Sequence, residues 1–272
     1  MSKNRPVVLL LVEGWGIAPA SHVNAISAAA PQVYFDLVKR YPVFALASSG
    51  LAVGLAVNEP GNREVGYRLI GESLLTALHE SETRILAIGS PTGIERLQAH
   101  FFVRPLNDDQ KVIVSSDQET NQIIVNVLET IADNVLMERA DLVVANIIHI
   151  DDSATHGNVA TTIDDIIAFD SRLQRVVDAV LTKHGTLIIA STHGNVEAVV
   201  DPITDLAVGN TTNPVPCVVV NAQLEGRSGG YDDSVTSEVS ELKVSGSVAR
   251  IAPTVVASLG LTVPSDIGES LV

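Results

Sequence analysis

The sequence is poor in cysteine, in aromatic residues and in long hydrophobic runs, and each shortage excludes something. A single cysteine, Cys217, among 272 residues rules out an internal disulfide and is typical of a reducing compartment. Aromatic residues make up only 4%, so the core must be built from Val, Ile, Leu and Ala. The apolar run Val7–Val12 ends at Glu13, which makes it too short for a membrane span or a signal-peptide core. We therefore expect a cytoplasmic protein that does not enter a membrane.

Basic residues are also scarce, which bears on the choice of partner. Seventeen Lys and Arg residues stand against 32 Asp and Glu, a formal net charge of −15 at pH 7. A protein of this charge repels the phosphates of nucleic acids and of anionic membranes, so we expect neither as a partner. What the chain does have is 46% hydrophobic residues, over a length that one large core can use. We predict one domain covering residues 1–272.

Short apolar runs alternate with longer segments of helical periodicity along the chain. Several runs are apolar at successive positions, as in parallel strands that are covered on both faces. The alternation predicts an α/β fold with a mostly parallel central sheet, and Gly226–Ser247, rich in small and acidic residues, predicts a surface excursion. The predicted strands are Val7–Val12, Val43–Ala47, Arg84–Ile88, Lys111–Val114, Leu142–Asn146, Leu187–Ala190 and Cys217–Val220. The predicted helices are Asn24–Arg40, Arg68–Glu80, Asn121–Ile131, Thr161–Lys183 and Val248–Leu259.

Polar residues that follow predicted strands are the first candidates for a functional site, because open α/β sheets bind ligands beyond the carboxyl ends of their strands. His149 and Asp151 offer one register for a ligand pair, although His149 lies in an apolar run and is expected to be packed. Asp152 and His156 offer another, but an Asp-x-x-x-His spacing is also common on loops that bind no metal. The candidates are Glu13, Asp151, Asp152, His156, Thr192 and His193.

An ordered series of motifs covers nearly the whole chain and points to a known family. The motifs are Val7–Gly16, Asn24–Ile26, Ala47–Gly54, Gly61–Tyr67, Ala145–Asn158, Thr192–Glu197, Thr211–Pro216 and Ile251–Leu271. Together they resemble the metal-binding (metalloenzyme) domain of the cofactor-independent, or 2,3-bisphosphoglycerate-independent, phosphoglycerate mutases of the alkaline phosphatase superfamily. The resemblance implies an alkaline-phosphatase-like three-layer sandwich. Longer members insert a phosphotransferase domain that this chain is expected to lack, because Leu69–Leu78 runs almost directly into Arg84–Ile88.

The resemblance also implies a set of metal ligands. In that family two divalent ions are held by carboxylates and imidazoles, and one ion also by a serine nucleophile. Because a catalytic metal site usually has three protein ligands and this chain offers a Glu with a His and an Asp with a His, we expect one divalent ion (Mn²⁺, Zn²⁺ or Mg²⁺) or none. The candidate ligands are Glu13, Asp152, His156 and His193.

Other family positions have changed chemistry. Arg63 stands where the family has its nucleophilic serine, and a protonated guanidinium cannot attack phosphorus. Thr192 and Asn210 replace an aspartate and a histidine of the ligand set, and Tyr67 replaces the histidine that ends the nucleophile motif. Thr192 occupies a ligand position and not the turn that opens a helix, so we do not expect it to act as a substitute nucleophile.

Arg63 permits two interpretations. It is either an incidental surface residue at a helix start, or a cation that occupies the space of a lost metal and pairs with Glu13, Asp152 or both. We favour the second, because carboxylates without their metal would otherwise remain as buried like charges. Arg63, near a helix N-terminus, and Arg96, which aligns with an active-site lysine of the family, are also the candidate substrate-binding residues. Their ligand would be a small phosphorylated molecule or another anion.

Three functions are compatible with these residues. The leading hypothesis is a degenerate, non-catalytic homologue of the mutase that keeps the fold for binding or assembly. The alternative is a metal-dependent phosphoryl-transfer enzyme, a phosphatase or a mutase-like enzyme, with an altered site. The third is a structural subunit that pairs with an intact relative, so an oligomer or a protein partner is also compatible with the sequence.

Overall fold

Eight strands form one sheet in the computed structural model, which describes residues 5–79, 81–102, 105–115, 117–227 and 239–272. Their order across the sheet is β4-β3-β5-β1-β6-β7-β2-β8, and every neighbouring pair is parallel except those that β7 makes with β6 and β2. The prediction of an α/β fold with a mostly parallel sheet is confirmed. The strands are β1 Val7–Val12, β2 Val43–Ala47, β3 Ile85–Gly89, β4 Lys111–Ile113, β5 Leu142–Ile147, β6 Thr186–Ala190, β7 Val215–Val220 and β8 Val244–Ser247.

The sequence pattern predicted the helices less completely than the strands. The predicted helix Asn24–Arg40 is two helices, because Ala30 adopts a left-handed conformation with φ of 48° and Pro31 has no N–H to continue the ladder. Two further helices, α4 and α6, were not predicted, and Glu80, the last residue predicted for α3, lies outside the described residues. The helices are α1 Ala25–Ala29, α2 Gln32–Arg40, α3 Arg63–Leu78, α4 Pro91–Phe101, α5 Thr120–Leu136, α6 His149–Thr155, α7 Val159–Thr182 and α8 Ile251–Ser258.

The surface excursion predicted for Gly226–Ser247 is corrected in its last part. Residues 228–238 lie outside the described ranges, but Val244–Ser247 forms the edge strand β8, which pairs in parallel with β2. The sequence did not indicate this strand because Ser and Gly have low strand propensity, and an edge strand needs little apolar surface.

The sheet is buried on both faces, which makes the fold a three-layer sandwich. Along β1, Val8, Leu10 and Val12 pack into a core with α1, α2, α5 and α7, whereas Val7, Leu9 and Leu11 pack into a second core with α3, α4 and α8. This double burial explains why β1 is apolar at every position. At about 25 cal/mol per Å² of buried apolar surface, the two cores are the main stabilising contribution to the fold.

Three adjacent central strands end at the same level and place the candidate site. Val12 of β1 lies beside Ile147 of β5, and Leu11 lies beside Ala190 of β6. The segments that follow these strands therefore meet at the carboxyl edge of the sheet, as predicted. Within the described residues, no helix has the length and apolar character that a membrane crossing requires.

Candidate functional site

Five ionisable side chains from four segments meet at the carboxyl edge of the sheet. Glu13 follows β1, Asp151 and Asp152 lie on α6 after β5, His193 follows β6, and Arg63 is the first residue of α3. Glu13 and His193 are 0% and 1% exposed, and the Asp151 side chain is 5% exposed. Charges removed from water to this extent must be compensated within the protein.

Arg63 is held by two carboxylates at once. Its helix begins with a cap in which the Asn62 side chain accepts a hydrogen bond from Val65 N at 3.0 Å, and this cap sets the direction of the first turn. The guanidinium Nη2 donates to Asp151 Oδ2 and, at 3.0 Å, to Asp152 Oδ1. Arg63 was expected to pair with Glu13, Asp152 or both; the structure shows the pairing with Asp152 and adds Asp151 as a second partner.

Glu13 is surrounded by uncharged donors and by the imidazole. The Thr192 hydroxyl donates to Glu13 Oε2 and also lies 3.0 Å from His193 Nδ1. His193 Nδ1 is 3.6 Å from the same carboxylate oxygen, and His193 Nε2 is 3.3 Å from Asp151 Oδ1. Tyr67 accepts a hydrogen bond from Asn146 Nδ2 at 2.8 Å and lies beside Glu13, whose Oε1 has no hydrogen-bond partner among the residues described.

Burial and neighbouring charges together shift the pKa values of these groups, some upward and one downward. Burial raises the pKa of Glu13, and the charges of His193 and Arg63 only partly offset it. Burial would also raise the pKa of Asp151, but the hydrogen bond and charge of His193 and the charge of Arg63 lower it to about 2. Burial lowers the pKa of His193, and Asp151 and Glu13 outweigh it, so that pKa is raised. The site therefore favours ionised Asp151 and protonated His193.

Of the remaining predicted residues, Arg96 lines a pocket with members of this cluster, and His156 lines a second cavity. His156 Nδ1 is 2.6 Å from the backbone oxygen of Asp152, and its exposed ring lines a cavity of about 300 Å³ together with Asp152 and His149. Arg96, on α4, lines a pocket of about 470 Å³ together with Arg63, Asp151 and Asp152. The structure thus brings Glu13, Asp151 and His193 together, and it places His156 with Asp152 at the second cavity.

Asn210 has a structural position and not a ligand position. Its Nδ2 donates to the backbone oxygen of Gly61 at 2.9 Å, which ties the segment before β7 to the start of α3. This contact helps to hold Arg63 against the carboxylates, because Gly61 directly precedes the capping residue Asn62.

Two glycines allow the backbones to approach closely enough for these contacts. Gly14 has φ of 74°, a left-handed conformation, and a Cβ there would lie 2.6 Å from Asp151 Oδ1. A Cβ on Gly66, in the first turn of α3, would lie 2.3 Å from Thr192 Cβ. Gly14 therefore lets its segment approach Asp151, and Gly66 lets α3 approach Thr192.

Sequence reasoning did not single out Glu197, a further buried carboxylate that shapes the loops. Glu197 is 1% exposed and accepts hydrogen bonds from Gly16 N at 3.0 Å, Asn195 N at 2.9 Å, Asn213 Nδ2 at 3.0 Å and the Thr211 hydroxyl. A Glu that ends the motif Thr192–Glu197 was the available signal. It joins the segments after β1 and β6 to the one before β7, so it organises the site without taking part in the Arg63 cluster.

The residues at the cluster do not fit a divalent metal ion. Both oxygens of Asp151 are already committed, Oδ2 to Arg63 and Oδ1 to Asn195 Nδ2 at 2.7 Å and to His193. The arginine places a fixed positive charge where a second cation would need to bind. Across the described ranges, no group of three or more His, Cys, Asp or Glu side chains is arranged to hold a metal ion.

Comparison with known proteins identifies sequence relatives. The family model described as the Metalloenzyme superfamily matches residues 5–263. A 2,3-bisphosphoglycerate-independent phosphoglycerate mutase of Chloroflexus aggregans is 32% identical over 148 residues, which cover 54% of this chain and 26% of that protein. The enzyme of the same name from Clostridium perfringens is 30% identical over 166 residues, 59% of this chain and 30% of that protein. The chain thus spans less than a third of the length of these relatives.

Solved structures share the fold. A Leishmania mexicana phosphoglycerate mutase, determined at low cobalt concentration, matches with a TM-score of 0.74 and 11% identity and covers 99% of this chain and 98% of that one. The alkaline phosphatase of the Antarctic bacterium TAB5 matches with a TM-score of 0.62 and 9% identity over 95% of this chain and 98% of that one. At these identities the likeness shows the fold alone, and it confirms the alkaline-phosphatase-like sandwich that the motifs implied.

Proposed function

The chain belongs to the Metalloenzyme superfamily, and from that premise we propose that it is a non-catalytic homologue of the phosphoglycerate mutases which keeps a binding pocket. One observation carries the proposal: the Arg63 guanidinium, at the position that the family resemblance assigns to the nucleophile, is bound to Asp151 and Asp152. A guanidinium has no lone pair for phosphorus, and here it is also anchored.

No other residue of the cluster is placed to replace the nucleophile. The Thr192 side chain is buried at 1% exposure and donates its hydroxyl to Glu13, and it does not line the 470 Å³ pocket. A nucleophile must reach the reacting atom, which the packing of Thr192 prevents. A metal-dependent route is not supported either, because the ligands of the family's metal ions are replaced or engaged.

The pocket itself offers an attachment point for an anion. Arg96 reaches it from α4, and the structure describes no hydrogen bond or ion pair for this side chain. His100, one helical turn further along α4, lines the same pocket. Arg63 is neutralised by its two carboxylates, so Arg96 is the arginine left to bind a phosphate group. The proposed ligand is a small phosphorylated molecule or another anion, bound by one cytoplasmic domain.

Phosphatase turnover tests the loss of catalysis. With a chromogenic phosphate ester and with Mn²⁺, Zn²⁺ or Mg²⁺ added in turn, we expect no hydrolysis above the buffer rate. Turnover that requires a metal and disappears in His156→Ala would overturn the proposal and establish the alternative, a metal-dependent phosphoryl-transfer enzyme.

Calorimetric titration with inorganic phosphate and with a phosphorylated three-carbon acid tests binding. We expect Arg96→Ala to weaken the affinity about tenfold, or about 1.4 kcal/mol, because it removes one charge-assisted contact. Arg68→Ala is the matched control, since Arg68 is exposed on α3 and does not line the pocket. Equal affinities of the Arg96 and Arg68 variants would show that the anion binds elsewhere.

A further inference from the structure

The carboxylates at the sheet edge need positive charge or hydrogen-bond donors from some source. Glu13 and Asp151 are almost completely buried, and Asp152 is half exposed beside them. Three carboxylates at this spacing would repel one another, and in this family of metalloenzymes metal ions are the expected compensation. Three residues that differ from the pattern of the resembled family, Arg63, Thr192 and Tyr67, contact those carboxylates or lie beside them.

Arg63 compensates the two carboxylates of α6. The guanidinium donates to Asp151 and Asp152, and its side chain is only 15% exposed, so solvent screens the ion pairs weakly. Its position is also constrained: the Asn62 cap and the Asn210 contact with Gly61 hold the first turn of α3 in place.

Thr192 and Tyr67 place uncharged groups beside Glu13, which also lies 3.6 Å from His193 Nδ1. The Thr192 hydroxyl donates to Glu13 Oε2, whereas an aspartate at this position would add a fourth negative charge. Tyr67 accepts from Asn146, so its own proton is free to point toward Glu13, beside which the hydroxyl lies. Gly66 makes this possible, because only a residue without a Cβ lets α3 approach Thr192 so closely.

We propose that Arg63, Thr192 and Tyr67 act together as a built-in replacement for the metal ions of the family, so that the native fold is complete without metal and excludes divalent ions from this site. These three residues come from two segments, residues 63–67 and residue 192, and all of them lie against the carboxylates of the cluster. The proposal is independent of the anion binding suggested above, which concerns Arg96.

Metal dependence of stability tests the proposal on the intact chain. After treatment with a chelator, the melting temperature of the wild-type protein is measured alone and with Mn²⁺ or Zn²⁺, and bound metal is counted by mass spectrometry after desalting. We expect no change in the melting temperature and no retained metal. A rise of many degrees with either metal, or about one retained ion per chain, would overturn the proposal, because a ligand stabilises the state that binds it.

A reverse substitution adds a variant for which a response to metal is expected. Arg63→Ser combined with Thr192→Asp removes the replacement cation and restores a carboxylate ligand, so we expect this protein to be less stable without metal and to gain several degrees when Mn²⁺ or Zn²⁺ is added. Arg68→Ser is the matched control, since it removes an exposed arginine from α3 that does not line the pocket, and it should behave as the wild type does.

Two further outcomes are decisive. If the double variant folds but neither binds nor responds to metal, Arg63 is not what excludes the ion, and the proposal fails. If the double variant does not fold in either condition, Arg63→Lys is used instead: it keeps a cation near both aspartates, so it should fold without metal and remain insensitive to it. A metal-induced rise in the Lys variant would contradict the proposal. Failure of phosphate to bind would leave each of these results unchanged.

Discussion

At the scale of single residues, positions that the resemblance marks as changed contact the carboxylates of the cluster. Arg63 donates to two aspartates, and Thr192 donates to Glu13. An isolated loss of function would leave buried carboxylates unpaired, and removing one partner of a buried ion pair typically costs about 3–5 kcal/mol. The contacts show instead that each buried carboxylate of the cluster has at least one donor from a changed position.

Asp165 provides a residue-scale prediction away from the cluster. It is 1% exposed on α7, it accepts a hydrogen bond from Ser153 Oγ at 2.6 Å, and burial raises its pKa to about 6. Because the folded pKa lies above the unfolded value of about 4, its contribution to stability is full below about pH 4 and is lost as the pH rises through 6. Asp165→Asn should therefore melt a few degrees above the wild type at pH 7, and the difference should vanish at pH 4.

Asp178→Asn is the control for that experiment, since Asp178 is an exposed carboxylate further along the same helix. The melting temperatures of the three proteins are measured at pH values from 4 to 7. A difference between Asp165→Asn and the wild type that stays constant with pH would show that Asp165 does not titrate as described.

At the scale of elements, the contact between α3 and the segment after β6 holds the site together. Gly66 packs against Thr192, and a Cβ at Gly66 would lie 2.3 Å from Thr192 Cβ. Alanine has the higher helix propensity by about 1 kcal/mol, but forcing a methyl group into this contact should cost more. We expect Gly66→Ala to lower the free energy of unfolding by about 1–3 kcal/mol in urea titrations, with no gain from the helix.

Glu72→Ala is the matched control on α3, because Glu72 is exposed and the change alters only helix propensity. It should be neutral within about 0.5 kcal/mol. A Gly66→Ala protein as stable as this control would mean that α3 and the Thr192 segment are not in tight contact.

Helix α6 illustrates why the elements near the site were harder to predict than the sheet. Its seven residues, His149–Thr155, start without a side-chain cap and carry no long apolar stripe. As a helix it places His156, at its C-cap, over the backbone oxygen of Asp152, four residues earlier. The pair was predicted from the match to the family's Asp-x-x-x-His motif, and the helix places both residues at one cavity, because residues four apart lie on the same helix face.

At the scale of the whole molecule, the excess of acidic residues opposes compaction. The formal charge of −15 creates self-repulsion in the folded state, and salt screens exposed charges more than the partly buried Arg63 cluster. We expect the melting temperature to rise when NaCl is increased from about 20 mM to about 300 mM, where the screening length falls below about 10 Å. A fall with added salt would indicate that surface ion pairs, such as those of Arg175 with Glu129 and Asp133, outweigh the net repulsion.

The sequence by itself determined the fold class and the family. Apolar runs such as Val7–Val12 are continuous because the sheet is covered on both faces, so their pattern alone indicates parallel strands, and ordered motifs such as Thr192–Glu197 identify the relatives. Through the family resemblance it also predicts changed chemistry at positions 63, 192 and 210. These properties depend on local pattern and on identity, and both are present in the chain before it folds.

Only the tertiary structure decided which side chains meet. Arg63 and Asp151 are 88 residues apart, and Thr192 and Glu13 are 179 apart, so these contacts exist only because β5, β1 and β6 are neighbours with aligned ends. That alignment brings Asp151 as well as Asp152 to Arg63, and α6 places His156 at a cavity that it shares with Asp152. Side-chain direction depends on strand order and on the state of a short segment, and neither is encoded in residue spacing alone.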